Sequence, residues 1–175
     1  VYKRQPYDGA VPVPKPLRFR NDVSELASML EDEGVVTFGS LKGALPWPVD
    51  RRQARRALTH FIKKLLPYFG TYEDAMSTEH RSLFHSRLSF ALNTKMLGPL
   101  EVIRAAEEEF LSGRAAISDV EGFIRQVLGW REYMRGMYWA LMPKFGRMNF
   151  YGNRWTLPRF FWVCDSLMRC MREAI

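Results

Sequence analysis

The sequence has little of what defines several common protein classes. Cys164 and Cys170 are its only cysteines, so a disulfide framework is excluded and a reducing compartment is favoured. Its three histidines, His60, His80 and His85, lie in unrelated contexts, and no metal-ligand spacing, phosphate-binding loop or catalytic triad occurs. No apolar run approaches the roughly 18 residues of a membrane-spanning helix, and no signal-peptide pattern opens the chain. We therefore expect a cytoplasmic protein that does not associate with membranes.

What the sequence does contain is positive charge and aromatic rings. The formal net charge is +7, the isoelectric point is about 9.6, and aromatic residues make up 14% of the 175 positions. Such a surface suits nucleic acid, because cations neutralise phosphates and aromatic rings stack on bases. A soluble protein with incidental excess arginine has the same composition, so charge alone leaves both readings open.

Apolar residues recur at spacings of three and four along most of the chain, which predicts helices and no regular sheet. We therefore predict an all-α fold of five or six helices over residues 22–175. Residues 1–21 contain four of the ten prolines and no helical period, so they are predicted to be an extended interdomain linker.

The longest predicted helix runs from 118 to 143. Ser118 and Glu121 have the spacing of a capping box at its start, and Pro143 ends it. Its centre carries Gly129, which costs roughly 1 kcal/mol relative to alanine in a helix interior. A close helix contact at Gly129 would be the structural explanation.

Two other predicted helices carry strong charge. In the helix from 50 to 68, Asp50 is the N-cap and Gly70 the stop signal, and its outer side holds six cations: Arg51, Arg52, Arg55, Arg56, Lys63 and Lys64. These cations either track a phosphate backbone or form an ordinary solvated face. In the helix from 99 to 111, the acidic run from Glu107 to Glu109 is predicted to be solvated.

A third feature is the segment His85-Ser86-Arg87-Leu88-Ser89, which follows Tyr72 by 13 residues. Free N–H groups at a helix start, together with serine hydroxyls, can hold a pyrophosphate. An ordinary N-cap formed by Ser86 explains the same residues.

The segment Gln126-Val-Leu-Gly-Trp-Arg-Glu-Tyr133 resembles the FAD-binding domain of DNA photolyases and cryptochromes. Its longer form, from Phe123 to Trp139, is most similar to the bacterial iron–sulfur cryptochromes and (6-4) photolyases. Two departures matter: Gln126 lies four residues before Trp130 instead of three, and the C-terminal part of the FAD-binding cup is missing. In addition, His85 stands where that family usually has threonine. The pair Trp162 and Cys170 adds a third point of similarity, in the right order along the chain.

The resemblance implies the N-terminal portion of a photolyase-type helical FAD-binding domain, and it implies roles for individual residues. The FAD contacts would be Tyr72, His85, Ser86, Leu88, Ser89 and Arg131. Trp130 would flank the flavin or the lesion, and Trp162 would relay electrons to the flavin. Cys170 would be one of four ligands of a 4Fe–4S cluster whose other ligands lie outside this chain, while Cys164 matches no ligand. Without the resemblance, Trp162 reads as a core aromatic residue and Cys170 as a buried free thiol.

Three functions follow as expectations. The first is light-driven repair of (6-4) photoproducts in DNA by reduced FAD, with an antenna chromophore bound elsewhere in the full-length protein. The second is a cryptochrome-type blue-light photoreceptor, and the third is a cofactor-free basic helical module that binds nucleic acid. The chain begins with valine, and we expect it to be a fragment that by itself is inactive and holds neither FAD nor the cluster. Its inner surface, including Trp130 and Trp162, is then expected to be exposed or covered by a second copy.

Overall fold

The computed structural model describes residues 5–36, 44–163 and 165–174, without the side chains of 173 and 174, and Cys164 lies outside these ranges. Within them the structure is helical and contains no regular strand; the two strand-like contacts are isolated bridges, Pro6–Met76 and Asn21–Leu45. The predicted all-α fold is confirmed.

Eight α-helical segments lie in the described residues, where five or six helices were predicted. They are α1 (Ser24–Asp32), α2 (Arg51–Lys64), α3 (Phe69–Tyr72), α4 (Ser89–Asn93), α5 (Pro99–Leu111), α6 (Ile117–Leu141), α7 (Phe160–Val163) and α8 (Arg169–Ala174). Single 3₁₀ turns lie at Leu66–Tyr68 and Lys144–Arg147. The excess over the prediction comes from short segments of four to six residues, which leave no clear periodicity in a sequence.

The chain divides within α6 into two compact units, Val1–Met134 and Arg135–Ile175. The hydrophobic core lies in the first unit and is built around α2, whose buried residues Ala54, Leu58 and Phe61 follow the helical period. The ring of Phe61 lies 4.5 Å from that of Phe123 on α6, centroid to centroid. As predicted, Asp50 caps α2: its carboxylate accepts a hydrogen bond of 2.6 Å from the Gln53 backbone N–H.

The described residues before α1 contain no helix, and they lie against the helices of the first unit. The backbone N–H of Tyr7 donates to the Met76 carbonyl at 2.8 Å, and the Tyr72 hydroxyl donates to Asp8 at 3.0 Å. Phe19 is buried near the end of the segment. Its role as a linker to a further domain stays a prediction.

The start of α6 differs from the predicted capping box. The helix begins at Ile117, one residue before Ser118, and the carboxylate of Glu121 pairs with Arg125 at 3.2 Å. The buried acid is Asp119, which accepts a hydrogen bond of 2.7 Å from the Gly70 backbone N–H. This hydrogen bond joins the first turn of α3 to the first turn of α6.

Both glycine interpretations were wrong. Gly70 does not end a helix but lies inside α3, where an added Cβ would come within 2.7 Å of the Ser118 carbonyl oxygen. At Gly129 an added Cβ would meet nothing within 4 Å, so no helix in the part of the chain that the structure describes makes a close contact there. The close approach is instead at Gly70, where the backbone of α3 meets that of the start of α6.

The acidic run on α5 is not solvated throughout. Glu109 is buried, because it falls on the same helix face as Val102 and Ala106. Its carboxylate accepts two hydrogen bonds from Arg114, at 2.7 and 2.8 Å, which compensate the burial of its charge. These hydrogen bonds lower the pKa of Glu109, although burial opposes that shift. Its neighbour Phe110 is exposed.

The second unit contains α7 and α8. The last described helix, α8, begins at Arg169, and just before it the Ser166 hydroxyl accepts a hydrogen bond of 3.1 Å from the Met168 N–H. Among the described residues of the whole chain, no helix is both long enough and apolar enough to cross a bilayer.

Candidate functional site

A depression of about 450 Å³ opens beside the segment from His85 to Ser89; we call it the Ser86 depression. It is lined by Phe69, Glu73, Asp74, His85, Ser86, Arg87, Leu88, Ser89, Phe123 and Gln126. Four of the six residues that the resemblance assigns to FAD are in this set: His85, Ser86, Leu88 and Ser89. The turn at 85–89 thus meets α3 and α6 around a common space.

The turn at the Ser86 depression has an unusual backbone. Arg87 has φ +56°, in the left-handed region that residues with a side chain seldom adopt. Its guanidinium lies 4.6 Å from the centroid of the Trp47 ring, a cation–π distance. Burial lowers the pKa of Arg87, and the charge of Arg18 adds to the shift. The stack on Trp47 is the contact that holds this strained residue.

Ser86 does not cap a helix, so the alternative reading of this segment was wrong. The helix that follows, α4, begins at Ser89 and has no side-chain cap. The Ser86 hydroxyl accepts a long hydrogen bond of 3.4 Å from the Leu88 N–H and lines the depression. It is placed to contact a ligand there.

A second depression, of about 600 Å³, adjoins the first along α6; we call it the Trp130 depression. Glu73 and Gln126 line both. Trp130 is 64% exposed, and its ring meets that of Tyr133 edge to face at 6.2 Å. The expected exposure of Trp130 is confirmed, and a flat aromatic face lies open beside the Ser86 depression.

Glu73 lies where the two depressions meet. Its Oε2 atom is buried and has no hydrogen-bond partner among the described residues, and it lies 3.1 Å from where a Cβ on Gly122 would be. A buried carboxylate oxygen without a donor is costly, so it favours a ligand that offers an N–H or O–H group. Sequence reasoning gave Glu73 no role, although its position directly after Tyr72 was a signal. The sequence also predicts no role for Gln126, which lies one helical turn before Trp130.

Arg131 lines neither depression, but its side chain contacts α4, whose first residue lines the Ser86 depression. Its guanidinium donates to the side-chain oxygen of Asn93 at 3.4 Å. Asn93 is the last residue of α4 and Ser89 the first. At 1.5 Å per residue these two helix ends are only about 6 Å apart along the axis. The Ser89 and Arg131 segments are therefore neighbours.

Tyr72 is placed differently from the other predicted FAD contacts. It does not line the Ser86 depression; it is 4% exposed and stacks on Phe84 at 4.9 Å. Burial, and then the hydrogen bond and charge of Asp8, raise the pKa of Tyr72. A direct contact with FAD stays a prediction, whereas contact with the N-terminal segment is observed.

Trp162 and Cys170 belong to the second unit. Trp162 is 53% exposed, which confirms the expected exposure and shows that the alternative of a core residue was wrong. Cys170 is an exposed thiol, so the alternative of a buried one was wrong as well. In the part of the chain that the structure describes, no three His, Cys, Asp or Glu side chains gather as metal ligands.

The residues of the two depressions fit a flavin nucleotide. The serine hydroxyls and the Gln126 amide offer hydrogen bonds, and the unpartnered Glu73 oxygen accepts one. Trp130 supplies a surface for a planar ring. A ligand with phosphates, hydroxyls and a heteroaromatic ring uses all of these groups.

Comparison with known proteins agrees with this picture. No family model matches the chain. Over 138 residues it is 44% identical to a (6-4) photolyase of Agrobacterium fabrum, a match that covers 79% of this chain but 27% of that protein. Over 96 residues it is 36% identical to an uncharacterized protein of Acanthamoeba polyphaga mimivirus, which covers 54% of this chain and 73% of the viral protein. The 44% identity over 79% of this chain, together with the all-α fold, supports a relationship with the photolyase/cryptochrome family.

Proposed function

We propose that the full-length protein is a DNA photolyase that repairs (6-4) photoproducts by light-driven electron transfer from reduced FAD. The observation that carries the proposal is the gathering of His85, Ser86, Leu88 and Ser89 around one depression beside the exposed Trp130. The (6-4) lesion is favoured by the name of the Agrobacterium relative.

Within this proposal the residues have distinct roles. His85, Ser86, Leu88, Ser89 and Arg131 would hold FAD, and Trp130 would flank the flavin or the lesion. FAD, when bound, supplies the photochemical electron, and a flipped-out lesion would receive it. Trp162 would relay electrons to the flavin, and Cys170 would be one ligand of a 4Fe–4S cluster completed outside this chain. An antenna chromophore would bind in another part of the full-length protein.

The test uses the purified full-length protein. Its visible spectrum should show flavin, with iron–sulfur absorption as well, and near-UV light should drive repair of a DNA duplex that carries one (6-4) photoproduct. Flavin without light-dependent repair would indicate a cryptochrome-type photoreceptor instead. A colourless full-length protein that still binds DNA would indicate the cofactor-free module.

The 175-residue chain is proposed to retain neither cofactor by itself. Its two depressions are open to solvent, and a ligand as large as FAD needs contacts on both sides to offset the entropy of binding. Titration of the isolated chain with FAD, followed by flavin fluorescence, should therefore show no saturable binding. Tight stoichiometric binding would show that these depressions are sufficient on their own.

A further inference from the structure

A second surface of the first unit is strongly basic. A groove of about 910 Å³ runs along the outer side of α2 and is lined by Arg51, Arg52, Arg55, Arg56, Lys63 and Lys64; we call it the basic groove. It shares no lining residue with the Ser86 or Trp130 depression. Substitutions in it therefore leave the candidate FAD contacts intact.

Neighbouring carboxylates neutralise only part of this charge. Glu101 binds Arg51 at 3.0 and 3.1 Å and Arg55 at 3.5 Å, and Asp50 lies 3.9 Å from Arg52. The other three cations, Arg56, Lys63 and Lys64, form no ion pair with a carboxylate among the described residues. The groove thus keeps a positive excess, which is greatest toward the C-terminal end of α2.

We propose that the basic groove binds the phosphate backbone of DNA as a contact separate from the candidate FAD site. From Arg51 to Lys64 a helix extends about 20 Å, a length that corresponds to about six base pairs of a duplex measured along its axis. Arginine forks bind phosphate oxygens in pairs, and lysines add point charges. A row of cations along one helix face suits a linear polyanion better than a compact anionic ligand.

A membrane surface is a poorer partner for the same charges. A helix that lies on a bilayer inserts its apolar side, but the apolar side of α2, with Leu58 and Phe61, is buried in the core. Around the groove only Leu17 is an apolar side chain open to a partner. The groove therefore offers charge without an inserting face.

The test measures the salt dependence of binding to an undamaged DNA duplex by the full-length protein. The groove variant is Lys63→Gln with Lys64→Gln, and the control is Lys95→Gln with Arg104→Gln, which removes the same charge from positions outside the groove. If both lysines contact phosphates, the slope of log K against log salt should become shallower by about 1.8 in the groove variant. The control should retain the slope of the unmodified protein, and thermal unfolding of both variants should show that they fold.

An unchanged slope in the groove variant, or an equal change in the control, would overturn the proposal. The proposal would also be overturned if the groove variant lost binding to polyglutamate but bound DNA as the unmodified protein does. That result would favour an acidic protein partner. This inference takes one point from the proposed function, namely that the polyanion is DNA. Because it is measured on undamaged DNA in the dark, its failure is distinguishable from a failure of the photolyase proposal, which flavin content and light-driven repair decide.

Discussion

The carbonyl oxygen of Ser118 lies 2.7 Å from the position that a Cβ on Gly70 would occupy, and the next residue, Asp119, accepts a hydrogen bond from the Gly70 N–H. The start of α6 thus rests directly on the backbone of α3. Glu73 directly follows α3, and Gln126 lies in α6 beyond this contact. Both residues line both depressions. The contact therefore sets the spacing of the walls of the candidate site.

Gly70→Ala should destabilise the protein, because the methyl group meets backbone atoms that cannot rotate away. Overpacking of this kind costs about 1–3 kcal/mol. Gly129→Ala is the matched control: its methyl group meets nothing within 4 Å, and alanine should stabilise the helix by up to about 1 kcal/mol. In urea unfolding, the free energy of unfolding should be lower for Gly70→Ala and higher for Gly129→Ala than for the unmodified protein. Equal free energies of unfolding for the two variants would contradict the close contact.

The ion pair between buried Glu109 and exposed Arg114 should make stability depend on pH. Hydrogen bonds from Arg114 hold the pKa of Glu109 below its ordinary value of 4.5. A carboxylate whose pKa is lower in the folded state stabilises that state above the unfolded pKa, and this contribution is lost as the pH falls through the folded pKa. Glu109→Gln should therefore be less stable than the unmodified protein at neutral pH, and the difference should shrink below about pH 4.5.

The surface pair of Glu121 and Arg125 provides the control for that measurement. Both side chains are more than half exposed, so Glu121→Gln should change the free energy of unfolding by less than about 1 kcal/mol. If both variants show the same pH dependence, the effect at Glu109 comes from the loss of a negative charge in general and not from its ion pair with Arg114.

Tyr72→Phe should loosen the N-terminal segment, because it removes the hydroxyl that donates to Asp8. Hydrogen exchange at the Tyr7 and Met76 amides, which bond across the bridge, should become faster. Tyr68→Phe is the control, since Tyr68 is exposed and also packs on Phe84. In the full-length protein, lost flavin with unchanged exchange would indicate a direct FAD contact by Tyr72; faster exchange with retained flavin would indicate a positioning role.

Trp130→Ala should separate function from stability. Because the ring is largely exposed, its removal should change the free energy of unfolding of the 175-residue chain by less than about 0.5 kcal/mol. In the full-length protein the same change should reduce flavin retention or light-dependent repair. Trp139→Ala is the comparison, since Trp139 is also exposed but lines neither depression. Equal losses from both variants would contradict a specific role for Trp130.

Local patterns along the sequence determined the helices and much of the candidate site. The cap at Asp50 and the apolar period of α2 are local, so they were predicted correctly. Charge on the outer side of α2 also follows from the sequence. The resemblance of the 126–133 segment led to His85, Ser86 and Ser89, which the structure places around one depression with Gln126.

Only the tertiary structure decided which features face one another. A glycine in a sequence predicts either a helix end or a close approach, and the neighbour that distinguishes Gly70 from Gly129 comes from another helix. Likewise, the burial of Glu109 and the unpartnered oxygen of Glu73 depend on how α5 and α6 pack against the rest of the first unit. Hydrophobic periodicity gives a helix its buried face, but long-range packing alone determines which polar atoms are left without partners, and those atoms mark where a ligand can bind.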